Sequence, residues 1–287
     1  MAEITASLVK ELREITGAGM MECKKALTEA EGEIDAAIDV LRTRGLAAVA
    51  KKAGRATNEG TIMAITGPGN KYGAIVELKC ETDFVGMNEK FHAYAKKIAE
   101  AVLLSNKEVT VDNVKDCELD GEKVEEILTD CIHVMGENSE ISRVSKIEAD
   151  GVASYIHGGG KIGVLVTFKL DGIDPALDGF VTCARDVAMQ IAATNPVAAK
   201  REDVSKEIVD HEMGIYKAQA ADSGKPENIQ VKIAEGRMHK FYAENCLDEQ
   251  TFVKDGELTV QQYVDKCAKE LGGSAKIDSF VRFELGE

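Results

Sequence analysis

Apolar residues recur at helical spacing in the first 41 positions and then change period. Ile4, Leu8, Leu12 and Ile15 share one helical face. Thr16-Gly17-Ala18-Gly19 breaks that stripe. Met20, Cys23, Ala26, Leu27 and Ala30 form a second stripe, which Gly32 stops. Ile34, Ala37, Ile38 and Leu41 form a third. Three short helices of this kind make a small bundle with a modest core. Beyond it, Thr61–Ile65 and Tyr72–Cys80 are rich in β-formers and flank Gly67-Pro68-Gly69-Asn70, the signature of a hairpin. Phe91, Tyr94, Ala95, Ile98 and Val102 then stripe a helix.

The same sequence of signals returns. Gly151 opens a strand, Gly158-Gly159-Gly160 makes a turn, and Ile162–Leu170 makes a second strand. Phe180, Ala184, Val187, Ala188 and Ile191 stripe a helix at the offsets of Phe91, Ala95, Ile98, Ala99 and Val102. A late strand carrying an arginine follows each time: Ser142-Arg143-Val144, then Phe280-Val281-Arg282-Phe283. These signals predict an internal duplication of a hairpin, helix and late-strand unit. The second copy is longer, with its excess between Glu202 and Asn245. There Val204, Ile208, His211, Ile215 and Ala218 form one heptad-like arm, and Val231, Ala234, Met238 and Phe241 another. Ser223-Gly224-Lys225-Pro226 separates them, so the insertion reads as an antiparallel helical hairpin. The expected class is α+β. The expected divisions are a helical bundle and linker over 1–55, a first core unit over 56–148, and a second over 149–287 with the hairpin at 202–245.

Composition adds limits. The chain has 287 residues, which suggests about two domains at ~100–200 residues each. With 44% apolar and 30% charged residues it can bury a sizeable core. The net charge of −15 argues against a general nucleic-acid binder or an anionic-membrane binder, both of which need clustered Lys and Arg. Against this background, Arg42, Arg44, Lys51, Lys52 and Arg55 stand in a stretch without an acid. It reads either as a solvated helix end and linker or as a charged partner contact. Between Asp112 and Asp130 acids dominate, as on a solvated helical face. No run is long and apolar enough to span a bilayer, and the first residues do not read as a signal peptide. The 7 cysteines are odd in number and form no C-x-x-C pair, as expected of reduced thiols in a cytoplasmic protein.

Catalytic patterns fail on inspection. Gly159-Gly160-Lys161 resembles the end of a phosphate-binding loop, but Tyr155 stands where its first glycine belongs and Ile162 where Ser or Thr belongs. Asn70-Lys71 lacks the aspartate of a guanine-reading motif, with Gly73 in its place. His211-Glu212 lacks the second histidine of a zinc-protease helix, with Ile215 in its place. No cofactor, metal or nucleotide site is expected, and no chemistry of the chain's own. From the residues alone, an enzyme with a docking module and a structural adaptor remain rivals.

Two segments are more specific. Thr16-Gly17-Ala18-Gly19-Met20-Met21-Glu22-Cys23-Lys24-Lys25-Ala26-Leu27 and Glu77-Leu78-Lys79-Cys80-Glu81-Thr82-Asp83-Phe84-Val85 resemble the two hallmark segments of the elongation factor Ts family. His157-Gly158, Gly236-Arg237-Met238 and Arg282-Phe283-Glu284 match further along, so the resemblance runs almost end to end. It implies a ubiquitin-associated-like bundle, two related core subdomains and a coiled-coil protrusion. It also implies a guanine-nucleotide exchange factor of the cytoplasm that engages elongation factor Tu in its GDP-bound and nucleotide-free forms. One-to-one and two-to-two complexes, and a homodimer of the chain, are all compatible with the sequence. Many members continue into a C-terminal helix, whereas this sequence ends at Glu287.

The resemblance assigns the exchange wedge to Asp83 and Phe84; on position alone Phe84 would be read as core. Asp83 is a candidate cap for the helix that begins there. Arg13, Met20 and Met21 match positions that grip the nucleotide domain of the partner, although methionines also fill bundle cores. His157 matches a contact to another partner domain, the alternative being a satisfied turn residue.

Overall fold

The computed structural model describes residues 4–16, 18–222 and 224–287. The first three helices are α1 (Ala6–Thr16), α2 (Met20–Glu29) and α3 (Ile34–Lys52). They bury Val9, Leu12, Cys23, Ala26, Leu27, Ala37 and Leu41 against one another. Gly32 adopts a φ of 94° and its amide bonds back to Leu27 O at 2.8 Å, closing α2 in the left-handed turn that glycine accepts without a Cβ clash. Two expectations change here. Ile15 lies exposed, with Val9 taking its place in the bundle core. And α3 runs eleven residues past the predicted stripe, from Leu41 to Lys52, taking in most of the basic stretch.

That extension packs on α6 (Val124–Met135). Arg42 pairs with Glu126 at 2.5 Å, and Lys52 Nζ donates at 2.9 Å to Ile132 O in the last turn of α6, a carbonyl that also accepts from Gly136 N at 3.2 Å. A Cβ added at Gly45 would lie 3.5 Å from Thr129 Cγ2, so α3 comes close at that point.

Two three-stranded antiparallel sheets follow. The first has the order β1 (Glu59–Thr66), β2 (Tyr72–Cys80), β5 (Ser139–Glu148). Between β2 and β5 the chain forms α4 (Asp83–Gly86), α5 (Glu89–Leu104), the small hairpin β3 (Glu118–Leu119) and β4 (Glu122–Lys123), then α6. The predicted acidic helical face is therefore α-helical only from Val124 onward. The second sheet has the order β6 (Gly151–His157), β7 (Ile162–Asp171), β10 (Ser274–Glu284). Between β7 and β10 come α7 (Asp178–Thr194), α8 (Lys206–Ala221), α9 (Glu227–Asn245), the hairpin β8 (Thr251–Phe252) and β9 (Asp255–Thr259), and α10 (Val260–Glu270).

Each sheet is covered by helices on one face. Val76 and Leu78 pack with Phe91, Ile98, Val102 and Ile127 in one core. Phe168 packs with Phe180, Val187, Ile191 and Val264 in the other. The opposite faces meet through Ile62, Ala64, Ile75, Val152 and Leu165. The central strands β2 and β7 are thus buried on both faces, which is why they read as apolar runs. Close approach of the sheets requires glycine: a Cβ at Gly163 would lie 2.4 Å from Ile62 Cγ2, and one at Gly73 2.9 Å from Val152 Cγ1. Arg143 adds a polar tie between the sheets. It forms a bidentate pair with Glu77 at 2.7 and 3.0 Å, donates to Glu284 O at 2.6 Å, and lies 4.6 Å from the centre of the Phe283 ring.

The consecutive helices α8 and α9 pack on each other. Ala220, Ala234 and Met238 are buried in them, while Ile208, Ile215, Ile229 and Val231 stay substantially exposed. Their base joins the body through Val204, Phe241, Tyr242 and Cys246. No helix among the described residues is long and apolar enough to cross a membrane.

Candidate functional site

The sequence-derived site residues fall into two groups. Arg13, in the last turn of α1, and Met20 and Met21, which open α2, are all exposed. With Ile15, the two methionines are apolar side chains near the junction of α1 and α2 that stay outside the bundle core. The core alternative for the methionines does not hold.

The second group sits where β2 ends. Phe84 is 81% exposed on the four-residue helix α4, so it is not core. Met87, three residues on at the C-cap of α4, is also exposed, at 66%, and no sequence pattern singled it out. The expected cap is corrected. Thr82, not Asp83, precedes α4, and its Oγ1 accepts from Val85 N at 3.4 Å. Asp83 occupies the first helical position, exposed. An acid there favours the helix start through the backbone dipole alone.

The chain around Thr82 is held by residues far away in sequence. The Glu137 carboxylate accepts from Glu81 N at 3.1 Å, Thr82 N at 3.0 Å and Thr82 Oγ1 at 2.6 Å. In return the Glu81 carboxylate accepts from Asn138 N at 2.6 Å and Arg55 Nη1 at 3.4 Å. The Asn138 amide and then Arg55 hold the Glu81 carboxyl below the usual carboxylate range, against the opposing push of burial. Asn138 Nδ2 also donates to Arg55 O at 3.0 Å, tying in the segment that leaves α3. Behind the loop, Cys80 Sγ donates to Thr82 O at 3.1 Å, and burial pushes its thiol up to about 12, so it is held as a neutral donor. At the far end of α4, His92 Nε2 donates to Gly86 O at 2.7 Å.

β1 links this corner to His157. A Cβ at Gly86 would meet Gly60 O at 3.0 Å, so α4 rests on the start of β1. Two residues on, Ile62 N donates to Gly160 O at 2.7 Å, joining β1 to the turn that follows His157. Gly158, Gly159 and Gly160 all take positive φ in that turn. It connects two paired strands, whereas a phosphate-binding loop joins a strand to a helix. His157 is exposed at the end of β6, its Nδ1 3.2 Å from Tyr155 Oη. Among the described residues no group of three or more His, Cys, Asp or Glu is arranged to hold a metal ion.

The family model described as elongation factor TS matches residues 81–287. An elongation factor Ts of Clostridium botulinum (strain Eklund 17B / Type B) is 47% identical over 287 residues, covering 99% of this chain and 93% of that protein. The chain belongs to the elongation factor Ts family. Elongation factor Ts of Clostridium perfringens (strain SM101 / Type A) is equally similar, 47% identical with the same coverage, and that of Clostridium botulinum (strain ATCC 19397 / Type A) is 43% identical over 288 residues. Membership of the elongation factor Ts family places the chain among the elongation factors of protein biosynthesis that act in nucleotide exchange.

Proposed function

We propose that this chain binds elongation factor Tu–GDP in the cytoplasm and releases the nucleotide by inserting Phe84 into the partner. The observation that carries the reading is the exposure of a Phe on a short helix whose backbone is tied at both ends. Most large apolar side chains are buried; one left in water on a fixed support is available to be buried in another protein. The side chain need not touch the base. GDP is held with Mg²⁺, which demands near-ideal octahedral geometry at ~2.0–2.1 Å, so a small displacement of its ligands weakens the nucleotide sharply. Coupling is reciprocal: the factor by which the chain weakens GDP is the factor by which GDP weakens the chain.

In this reading the Arg13, Met20 and Met21 corner grips the nucleotide domain of the partner. Phe84, with Asp83 at the helix start, acts at the Mg²⁺ and phosphate site, and His157 contacts a further domain. Residues 1–55 serve as the docking bundle, 56–148 and 149–287 as the paired core subdomains, and 202–245 as a coiled-coil protrusion available for partner contact or self-association.

The test is release of a fluorescent GDP from elongation factor Tu on adding the chain. Accelerated release supports exchange. Binding without acceleration would make the chain an adaptor and defeat the proposal.

A further inference from the structure

Glu137 lies 53 residues from Phe84 in sequence, yet its carboxylate is the acceptor for three donors of the loop that carries Phe84. Its placement follows from the end of α6. Gly136 takes a φ of 79° as the left-handed cap of that helix and turns the chain into β5. β5 pairs with β2 in a ladder ending at Cys80–Ser139. Glu81 and Glu137 therefore leave the same end of one ladder, and their carboxylates cross over: Glu137 accepts from Glu81 N and Thr82 N, and Glu81 from Asn138 N. A carboxylate oxygen shared by two adjacent N–H groups, with its second oxygen on the next hydroxyl, fixes direction as well as distance. Thr82 Oγ1 passes the constraint on: it donates to Glu137 and accepts from Val85 N inside α4.

We propose that Glu137 is the positioning residue of the exchange reaction: it locks the Glu81–Thr82 backbone so that α4 presents Phe84 in its inserting geometry before the partner arrives. The role rests on the assignment of Phe84 as the wedge. Glu137 touches no reacting group, and acts by removing the ordering that Phe84 would otherwise require at the moment of insertion.

The experiment is rapid-mixing release of fluorescent GDP from elongation factor Tu with the chain in excess. The maximal release rate and the half-saturating concentration are read for wild type, Phe84→Ala, Glu137→Ala, Glu137→Gln and Thr82→Val. Glu137→Ala is expected to lower the maximal rate about 10-fold, the scale of lost charge-assisted bonds, and to shift half-saturation by no more than about twofold. Glu137→Gln keeps an oxygen for the two amides and is expected within about threefold of wild type. A merely structural role moves the opposite parameter. Fewer folded molecules raise the half-saturating concentration and leave the maximal rate intact. That pattern, or a wild-type rate in Glu137→Ala, overturns the proposal. Thr82→Val, which removes the hydroxyl and leaves the backbone, keeps the test open if Glu137→Ala does not fold: its maximal rate is expected to fall, and an unchanged rate overturns the proposal. A silent wild type defeats the exchange reading and this role with it. Normal release by Phe84→Ala defeats the wedge. A defect in Phe84→Ala without one in the Glu137 and Thr82 variants defeats the positioning role alone.

Discussion

At the scale of single residues, the capping of α4 separates what sequence can and cannot say. Thr82 and Asp83 are adjacent and both are good cap types. The choice between them falls to Glu137, which binds the Thr82 amide and hydroxyl from across the sheet. No local pattern contains that contact, because it depends on the pairing of β2 with β5. The consequence is measurable. Thr82→Val is expected to destabilise the folded chain by about 1 kcal/mol, the usual scale of a lost cap, and Asp83→Ala by under about 0.5 kcal/mol, since Asp83 is exposed and contributes mainly to the helix dipole. Urea melts of the two variants check the order; a larger shift for Asp83→Ala would restore it as the cap. The exposure of Phe84 was equally invisible to position alone and became legible only through the resemblance of Glu77–Val85 to a family segment.

At the scale of elements, the first hairpin was readable because each signal is local. β-formers flank Gly67-Pro68-Gly69-Asn70, and the strands found, Glu59–Thr66 and Tyr72–Cys80, match the reading closely. The second half of α3 was not readable as a helix with a buried face, because what it meets is α6. Two-residue strands such as those of β3 and β4 carry no period at all. Gly73 and Gly163, each the second residue of its central strand, prove to be points where the sheets meet. Gly163→Ala is expected to cost about 1–3 kcal/mol by overpacking against Ile62, measured by urea unfolding; an unchanged midpoint would mean that the sheets separate freely. The hairpin of α8 and α9 contributes little to either main core. Excising residues 212–236 while keeping the base at Phe241 and Tyr242 is expected to leave one cooperative thermal transition. Loss of that transition would place the hairpin in the core.

At the scale of the whole molecule, Glu77 and Arg143 connect the two sheets and set an acid limit. Glu77 is 1% exposed. Burial pushes its carboxyl up, but the bonds from Arg143 and Ser142 outweigh burial and leave it below its ordinary value of about 4.5. A carboxyl depressed on folding stabilises the native state above its unfolded value, and that contribution is lost as pH falls through the unfolded value towards the folded one. Glu77→Gln is therefore expected to lower stability at neutral pH and to flatten its fall below about pH 5, followed by urea melts across pH; an acid limb as steep as that of the wild type would remove Glu77 as its source. The sheets so joined hold β1 between α4 and the turn after His157, which places two surface positions on one support. Phe84 is the first of them, and the most direct test of its role is the maximal GDP-release rate of Phe84→Ala with elongation factor Tu. Loss of a side chain buried only in the complex is expected to slow release by ~10–150-fold, corresponding to ~1.5–3 kcal/mol, with the urea midpoint of the free chain unchanged. A maximal rate equal to that of the wild type would contradict the account.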